Sequence, residues 1–129
     1  MFYMQNWIFV IKDSDEKFQI KIKEKKWSIF RKTLNRNKLK VGDRIVFYKA
    51  GIDGKKFIGK ASIYTELKED GIDFSLGLSD AEVWKKPIKI TSLLDSLEFI
   101  KDKTNWGCYL QGGVRPISDS DYMTILSKI

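Results

Sequence analysis

The stretch from Arg44 to Tyr64 constrains the fold more than any other part of this chain. Arg44–Lys49 reads RIVFYK, with a β-branched and aromatic middle that suits a pleated, half-buried surface. Ala50–Lys55 follows with Gly51, Asp53 and Gly54, the composition of a loop that turns a chain back on itself. Lys56–Tyr64 then returns as a second strand. Gly59 inside it marks a bulge or a close approach of backbone. A chain with this hairpin at its centre builds an antiparallel sheet around it.

The remaining segments supply more short strands and two helices. Asn6–Lys12 is a compact apolar run and reads as a buried strand. Asp13-Ser14-Asp15-Glu16 starts a helix: Asp13 or Ser14 can accept from free N–H groups, and Glu16 stands three residues after Asp13. Phe18 and Ile22 share a helical face, although Phe18, Ile20 and Ile22 also alternate as a strand would. Leu34–Asn37 is a turn or short helix, and Val41-Gly42-Asp43 is a turn. Glu66–Asp73 reads as a polar, mobile loop, and Phe74–Leu78 alternates weakly. Ala81–Ile90 reads as a strand whose Pro87 places it at an edge or a bulge. Ser92–Leu97 is a short helical turn, and Asn105–Pro116 is glycine-rich and irregular. Ser118 caps a last helix with Tyr122, Ile125, Leu126 and Ile129 on its apolar face. The expected architecture is α+β: five or six short strands, mostly antiparallel, in a small curved sheet or barrel with peripheral helices. No repeat or linker divides residues 1–129, which read as a single domain.

Two counts narrow the chemistry. The chain has no histidine and one cysteine, Cys108. A Ser-His-Asp triad, a Cys-His pair, a histidine metal ligand, an internal disulfide and a cysteine zinc site are all excluded. A binding protein without cofactor or metal is therefore expected rather than an enzyme. The longest apolar runs, such as Trp7–Ile11 and Ile45–Tyr48, fall far short of the ~20 residues of a membrane span. The opening MFYMQNWIFVIKD lacks a basic n-region and a small-residue cleavage site. With a lone thiol, this points to a reducing, cytoplasmic setting.

Charge then suggests a partner. The net charge is +7, and it is concentrated: residues 1–60 hold 16 Lys/Arg against 6 Asp/Glu, residues 61–129 hold 8 against 11. Such asymmetry fits a basic face and a polyanion. The competing reading is a surface decorated with lysine throughout, since 20 of the 24 cations are Lys.

Trp27 beside Ser28 is the leading candidate site: an aromatic face stacks on a base, and a hydroxyl bonds its edge. The same tryptophan also suits a core. Trp7 is expected in the core, Trp84 fits either role, and Trp106 beside Gly107 fits a pocket wall. Gly112-Gly113 before Arg115 can present N–H groups and a guanidinium to a phosphate, but the end of a Walker loop is absent. Asp119 and Asp121 serve the start of the last helix, and Cys108 reads as structural.

Several segments in order resemble a known family. They are WIFVIK, KKWSIF, VGDRIVFYKAG, FIGKASI, LLDSLEFIKDKTNWG and GGVRPISDSDYMTIL. Together they resemble the EVE domain, a PUA-like fold related to the YTH domain, over nearly the whole chain. The resemblance implies a pseudo-barrel of about six strands that reads modified bases in nucleic acid, DNA or RNA, holding an extruded base beside the first strand and following helix. It places Trp27-Ser28 where the YTH aromatic cage has a tryptophan and a small polar residue, and Lys12, Asp13 and Ser14 where a loop touches the base. No second cage tryptophan is matched; Phe74, Leu76 and Trp84 are the candidates for that wall. The expected base pocket is thus Lys12, Asp13, Ser14, Trp27, Ser28 and Trp106, with Lys25, Lys26, Arg31, Lys49 and Arg115 on the nucleic-acid backbone. The alternative is a pocket for a free nucleoside or nucleotide, without polymer binding.

Overall fold

A computed structural model describes residues 4–129. In chain order the elements are β1 (Asn6–Ile11), α1 (Asp15–Glu24), β2 (Lys26–Ile29), β3 (Arg44–Lys49), β4 (Lys56–Ile63), β5 (Lys68–Asp70), β6 (Asp73–Lys89), β7 (Val114–Ile117) and α2 (Asp119–Leu126). Short 3-10 turns at Arg36–Lys38, Ile90–Ser92, Leu94–Ser96 and Trp106–Leu110 complete it. The strands form one curled sheet in the order β2-β6-β4-β3-β1-β7, with β5 paired to β6. Every pairing is antiparallel except β1 with β3. The architecture is the expected α+β curved sheet.

β1 is covered on both faces, which explains its unbroken apolar run. Trp7, Phe9 and Ile11 enter a first core with Phe18 and Ile22 of α1, Trp27 and Ile29 of β2, and Ile45 and Phe47 of β3. Ile8 enters a second core with Val46, Tyr48, Phe57, Trp84, the last three 3-10 turns and Tyr122 and Ile125 of α2. The period of two thus sends successive β1 residues into different cores. Trp7 is core as expected, and its indole donates to Asp43 Oδ2 at 2.9 Å. Trp84 joins the second core.

Helix α1 settles the competition over Phe18–Ile22. Phe18 and Ile22 are buried while Ile20 is 52% exposed, so the helical spacing wins. Its N-cap is Ser14, whose hydroxyl accepts from Lys17 N–H at 3.2 Å. The residue after the helix, Lys25, is left-handed (φ 58°), and its N–H donates to Ile22 O. In α2, Ser118 accepts from Asp121 N–H at 3.0 Å.

Three segments differ from expectation. Phe74–Leu78 and Ala81–Lys89 belong to one strand, β6, whose register against β4 breaks twice, and Ile90 begins the next 3-10 turn. Pro87 falls in the first break, so it marks a bulge rather than an edge. Gly59 lies at the same break, and a Cβ there would stand 2.3 Å from Glu82 O, a close backbone approach as well as a bulge. Glu66–Asp73 is not simply a loop: Lys68–Asp70 pairs with β6 through its backbone while its side chains stay in water. A polar strand with exposed side chains carries no apolar alternation to read.

Candidate nucleic-acid interface

The end of β1, Lys21 of α1 and strand β2 border a cavity of about 200 Å³. Lys12, Asp13, Trp27 and Ser28 all border it. Lys12 and Asp13 directly follow β1, and α1 then leads the chain to β2, which carries Trp27 and Ser28. In β2 Trp27 and Ile29 turn inward, while Ser28 and, just after the strand, Phe30 are exposed.

Trp27 has two roles in this arrangement. It is 5% exposed and packs among Phe47, Phe18 and Phe9, with ring centroids 4.8, 6.0 and 6.4 Å away. Its remaining surface borders the cavity. Lys21 Nζ stands 4.9 Å from the Trp27 ring centroid and bonds Asp13 Oδ2 at 2.6 Å. An ammonium over an indole is held by the ring quadrupole as well as by its carboxylate.

Two of the six expected pocket residues are not at this cavity. The Ser14 hydroxyl is engaged as the α1 cap, and Ser14 is not among the lining residues. Trp106 is half-buried on a separate cavity of about 610 Å³, beside Tyr48, Lys55 and Leu110. The two cavities share Val10 and Lys12 as a common wall. Burial pushes the Tyr48 hydroxyl up to about 12, so it stays a neutral donor at physiological pH.

Sequence reasoning did not assign Lys21, Phe30 or Thr33 to the smaller cavity, and Gly113, singled out for a phosphate, also borders it. Phe30 is 63% exposed, and the alternation Trp27 in, Ser28 out, Ile29 in was enough to place it beside Ser28. None of the candidates for the second wall borders this cavity. Leu76 opposes Trp27 in the β2–β6 ladder and is buried. Phe74 lies under the guanidinium groups of Arg31 and Arg36, at 4.7 and 5.0 Å.

The cations assigned to a backbone are mostly engaged within the protein. Lys26 pairs with Asp70 at 2.8 Å, which holds the Asp70 carboxyl low and the Lys26 ammonium high. Lys49 pairs with Asp15 at 2.8 Å and lowers that carboxyl. Arg31 donates to Ile72 O and to Glu69, and its backbone N–H donates to Asp73. Arg115 lies over the Phe99 and Tyr109 rings, at 5.0 and 5.7 Å, with its Nε buried and unpartnered among the described residues. Lys25 is exposed and makes no ion pair among the described residues. Four of the six ion pairs join a cation of residues 1–60 to a carboxylate of residues 61–129. Folding therefore neutralises part of the basic half.

Asp121 does more than begin α2. It is 1% exposed and accepts from Glu98 and Phe99 N–H at 2.7 and 3.0 Å, pinning the loop before Ile100. Cys108 is exposed, and its thiol donates to Asn105 O at 3.0 Å. No described helix is long and apolar enough to cross a membrane, and no cluster of metal-ligating side chains occurs among the described residues.

Comparison with solved structures shows the fold again. A hypothetical protein from Leishmania major superposes with a TM-score of 0.72 at 18% identity, over 98% of this chain and 94% of that one. Human THYN1, solved in complex with 5-methylcytosine-containing DNA, gives 0.70 at 14% identity, over 96% of each chain. The YTH domain of Zygosaccharomyces rouxii MRB1, in complex with N6-methyladenosine RNA, gives 0.65 at 17% identity, over 98% of this chain and 86% of that one. No curated protein matches this sequence. The EVE domain model matches residues 5–128, nearly the entire chain. With that match over a curled sheet of this topology, the chain belongs to the EVE domain family.

Proposed function

We propose that this protein is a nucleic-acid-binding module that holds an unpaired or flipped modified base in the cavity at Trp27, and that it breaks no bond. The observation that carries the reading is the convergence of Lys12, Asp13, Trp27 and Ser28 on one cavity at the end of β1. The indole offers a stacking face, and Ser28 and Asp13 offer a hydroxyl and a carboxylate to the edge of a base. Lys12 and Lys25 offer charge to the flanking phosphates. The modified-base complexes of human THYN1 and of the Zygosaccharomyces rouxii YTH domain support this reading at the level of the fold.

Extruding a base costs a few kcal/mol and least in a single strand, so single-stranded substrates are bound more tightly than plain duplex. The test is a binding screen of 5-substituted cytosines and N6-methyladenine, each in single and double strands, with wild type and Ser28→Ala. A preference for one modified base that Ser28→Ala weakens supports the proposal. Equal affinity for modified and unmodified strands overturns it. Binding of free nucleosides but not of oligonucleotides favours a small-molecule pocket instead.

A further inference from the structure

The cavity at Trp106 is about three times the volume of the one at Trp27, at about 610 against about 200 Å³. The proposed base contacts leave it without a role. Its wall combines the half-buried Trp106 ring, Tyr48, Leu110 and Val10 with two lysines, Lys12 and Lys55. Neither lysine makes an ion pair among the described residues, although six other cations of residues 1–60 do. Tyr48 is 2% exposed and borders this same cavity.

Position adds the connection. Val10 and Lys12 border both cavities, and of the adjacent glycines Gly112 borders the larger and Gly113 the smaller. The end of β1 and the Gly112-Gly113 backbone thus form a narrow ridge between two compartments. Each compartment has a tryptophan in its wall, and a free lysine stands on the ridge.

We propose that the Trp106 cavity takes the unpaired nucleobase next to the one held at Trp27, in the same strand, with Lys12 on the ridge pairing with the phosphate that links them. Trp106 supplies a stacking face, which tolerates any base because every base has a π-face. Tyr48 donates to a ring nitrogen or carbonyl of that base, and Lys55 faces the next phosphate. The protein then recognises a two-nucleotide step: one base by its modification, the other by being unpaired. This inference rests on the proposed reading of the Trp27 cavity.

The experiment measures affinity for short single-stranded oligonucleotides carrying 5-methylcytosine or N6-methyladenine, intact or with an abasic site directly 5′ or directly 3′ of the modified base. In the wild type, an abasic site on one of the two sides weakens binding roughly tenfold, as expected for one lost stacked base. Trp106→Ala weakens binding of the intact strand by a similar factor and abolishes the effect of the abasic site, while the preference for the modified base survives. Trp106→Phe, which keeps a stacking face, retains most of the affinity and shows that a loss in the alanine variant is not misfolding. Indifference of the wild type to both abasic sites overturns the inference, and so does an unchanged response in Trp106→Ala. A preference for modified over unmodified strands in those same data leaves the Trp27 reading standing; its absence removes that reading instead. Protection of Trp106 fluorescence from acrylamide by free mononucleotide, but not by the oligonucleotide, marks a separate small-molecule site and also overturns it.

Discussion

Lys21 occupies the approach to Trp27: its ammonium stands 4.9 Å from the indole centroid, tethered to Asp13 at 2.6 Å. A base stacking on that face displaces the ammonium. The pair is partly solvated, with side chains 36% and 27% exposed, so holding it closed contributes only about 0–1 kcal/mol. Lys21→Gln therefore keeps the fold and tightens binding of a neutral modified base by up to roughly fivefold. Fluorescence titration checks this; a weaker complex would make Lys21 a contact to the nucleic acid instead.

Trp27→Ala is expected to do more than empty a pocket. The indole packs against Phe9, Phe18 and Phe47 in the first core, so its removal leaves a cavity there. The expected cost is about 3–5 kcal/mol, a drop in Tm of roughly 10–20 °C for a domain of this size. Thermal unfolding by circular dichroism measures it. Ser28→Ala, on the exposed face of the same strand, leaves Tm within a few degrees.

Gly59→Ala tests the bulge. The added Cβ would meet the Glu82 carbonyl oxygen at 2.3 Å, and a backbone group cannot swing aside as a side-chain tip can. Parting β4 from β6 at this point costs about 1–3 kcal/mol or more. Urea unfolding reads it as a lower midpoint with unchanged slope.

Tyr48 makes stability depend on alkaline pH. Its hydroxyl titrates near 12 in the folded chain against 10.0 for an ordinary tyrosine. The folded state then keeps a proton that the unfolded state loses, so this contribution is whole below pH 10 and is lost as pH rises toward 12. Tyr48→Phe removes that part of the decline, seen in melting temperatures across the range.

Salt dependence separates engaged from free cations. Each phosphate contact to a single strand contributes about 0.7 to the slope of log affinity against log salt. Lys12→Ala and Lys25→Ala each reduce the slope by roughly that amount. Lys26→Ala and Lys49→Ala, whose ammonium groups are bonded to Asp70 and Asp15, change it less.

What the sequence conveyed depended on whether the signal was local. The Arg44–Tyr64 hairpin, the buried first strand and the Ser14 and Ser118 caps were all readable, because propensity, period and cap chemistry act within a few residues. Asp13 as an alternative cap was not separable from Ser14, since one backbone angle decides between them. β5 was hidden because its bonds are to β6 and its side chains say nothing of burial. Around the smaller cavity, Trp27 and Ser28 were singled out as an aromatic beside a hydroxyl and Lys12 and Asp13 through the resemblance to a family, and all four border it. Lys21 was hidden in a lysine run whose members differ only in where the helix turns them. The parting of Trp106 from Trp27 depends on the Gly112-Gly113 segment lying along β1, a contact across about a hundred residues of chain. The engagement of Lys26, Arg31 and Lys49 was hidden for the same reason: their carboxylates come from elsewhere in the chain.

The burial of β1 on both faces has a consequence for how such a protein diversifies. Each residue from Trp7 to Ile11 is committed to one of two cores, and a shift by one position would exchange them all, so the strand is fixed in register. Lys12 and Asp13 emerge from this immobile support and meet a cavity on leaving it. Their side chains can change without disturbing either core, while their backbone is held still. Ligand preference can therefore drift at the end of β1 at little cost to folding, and a new preference inherits a preorganised backbone.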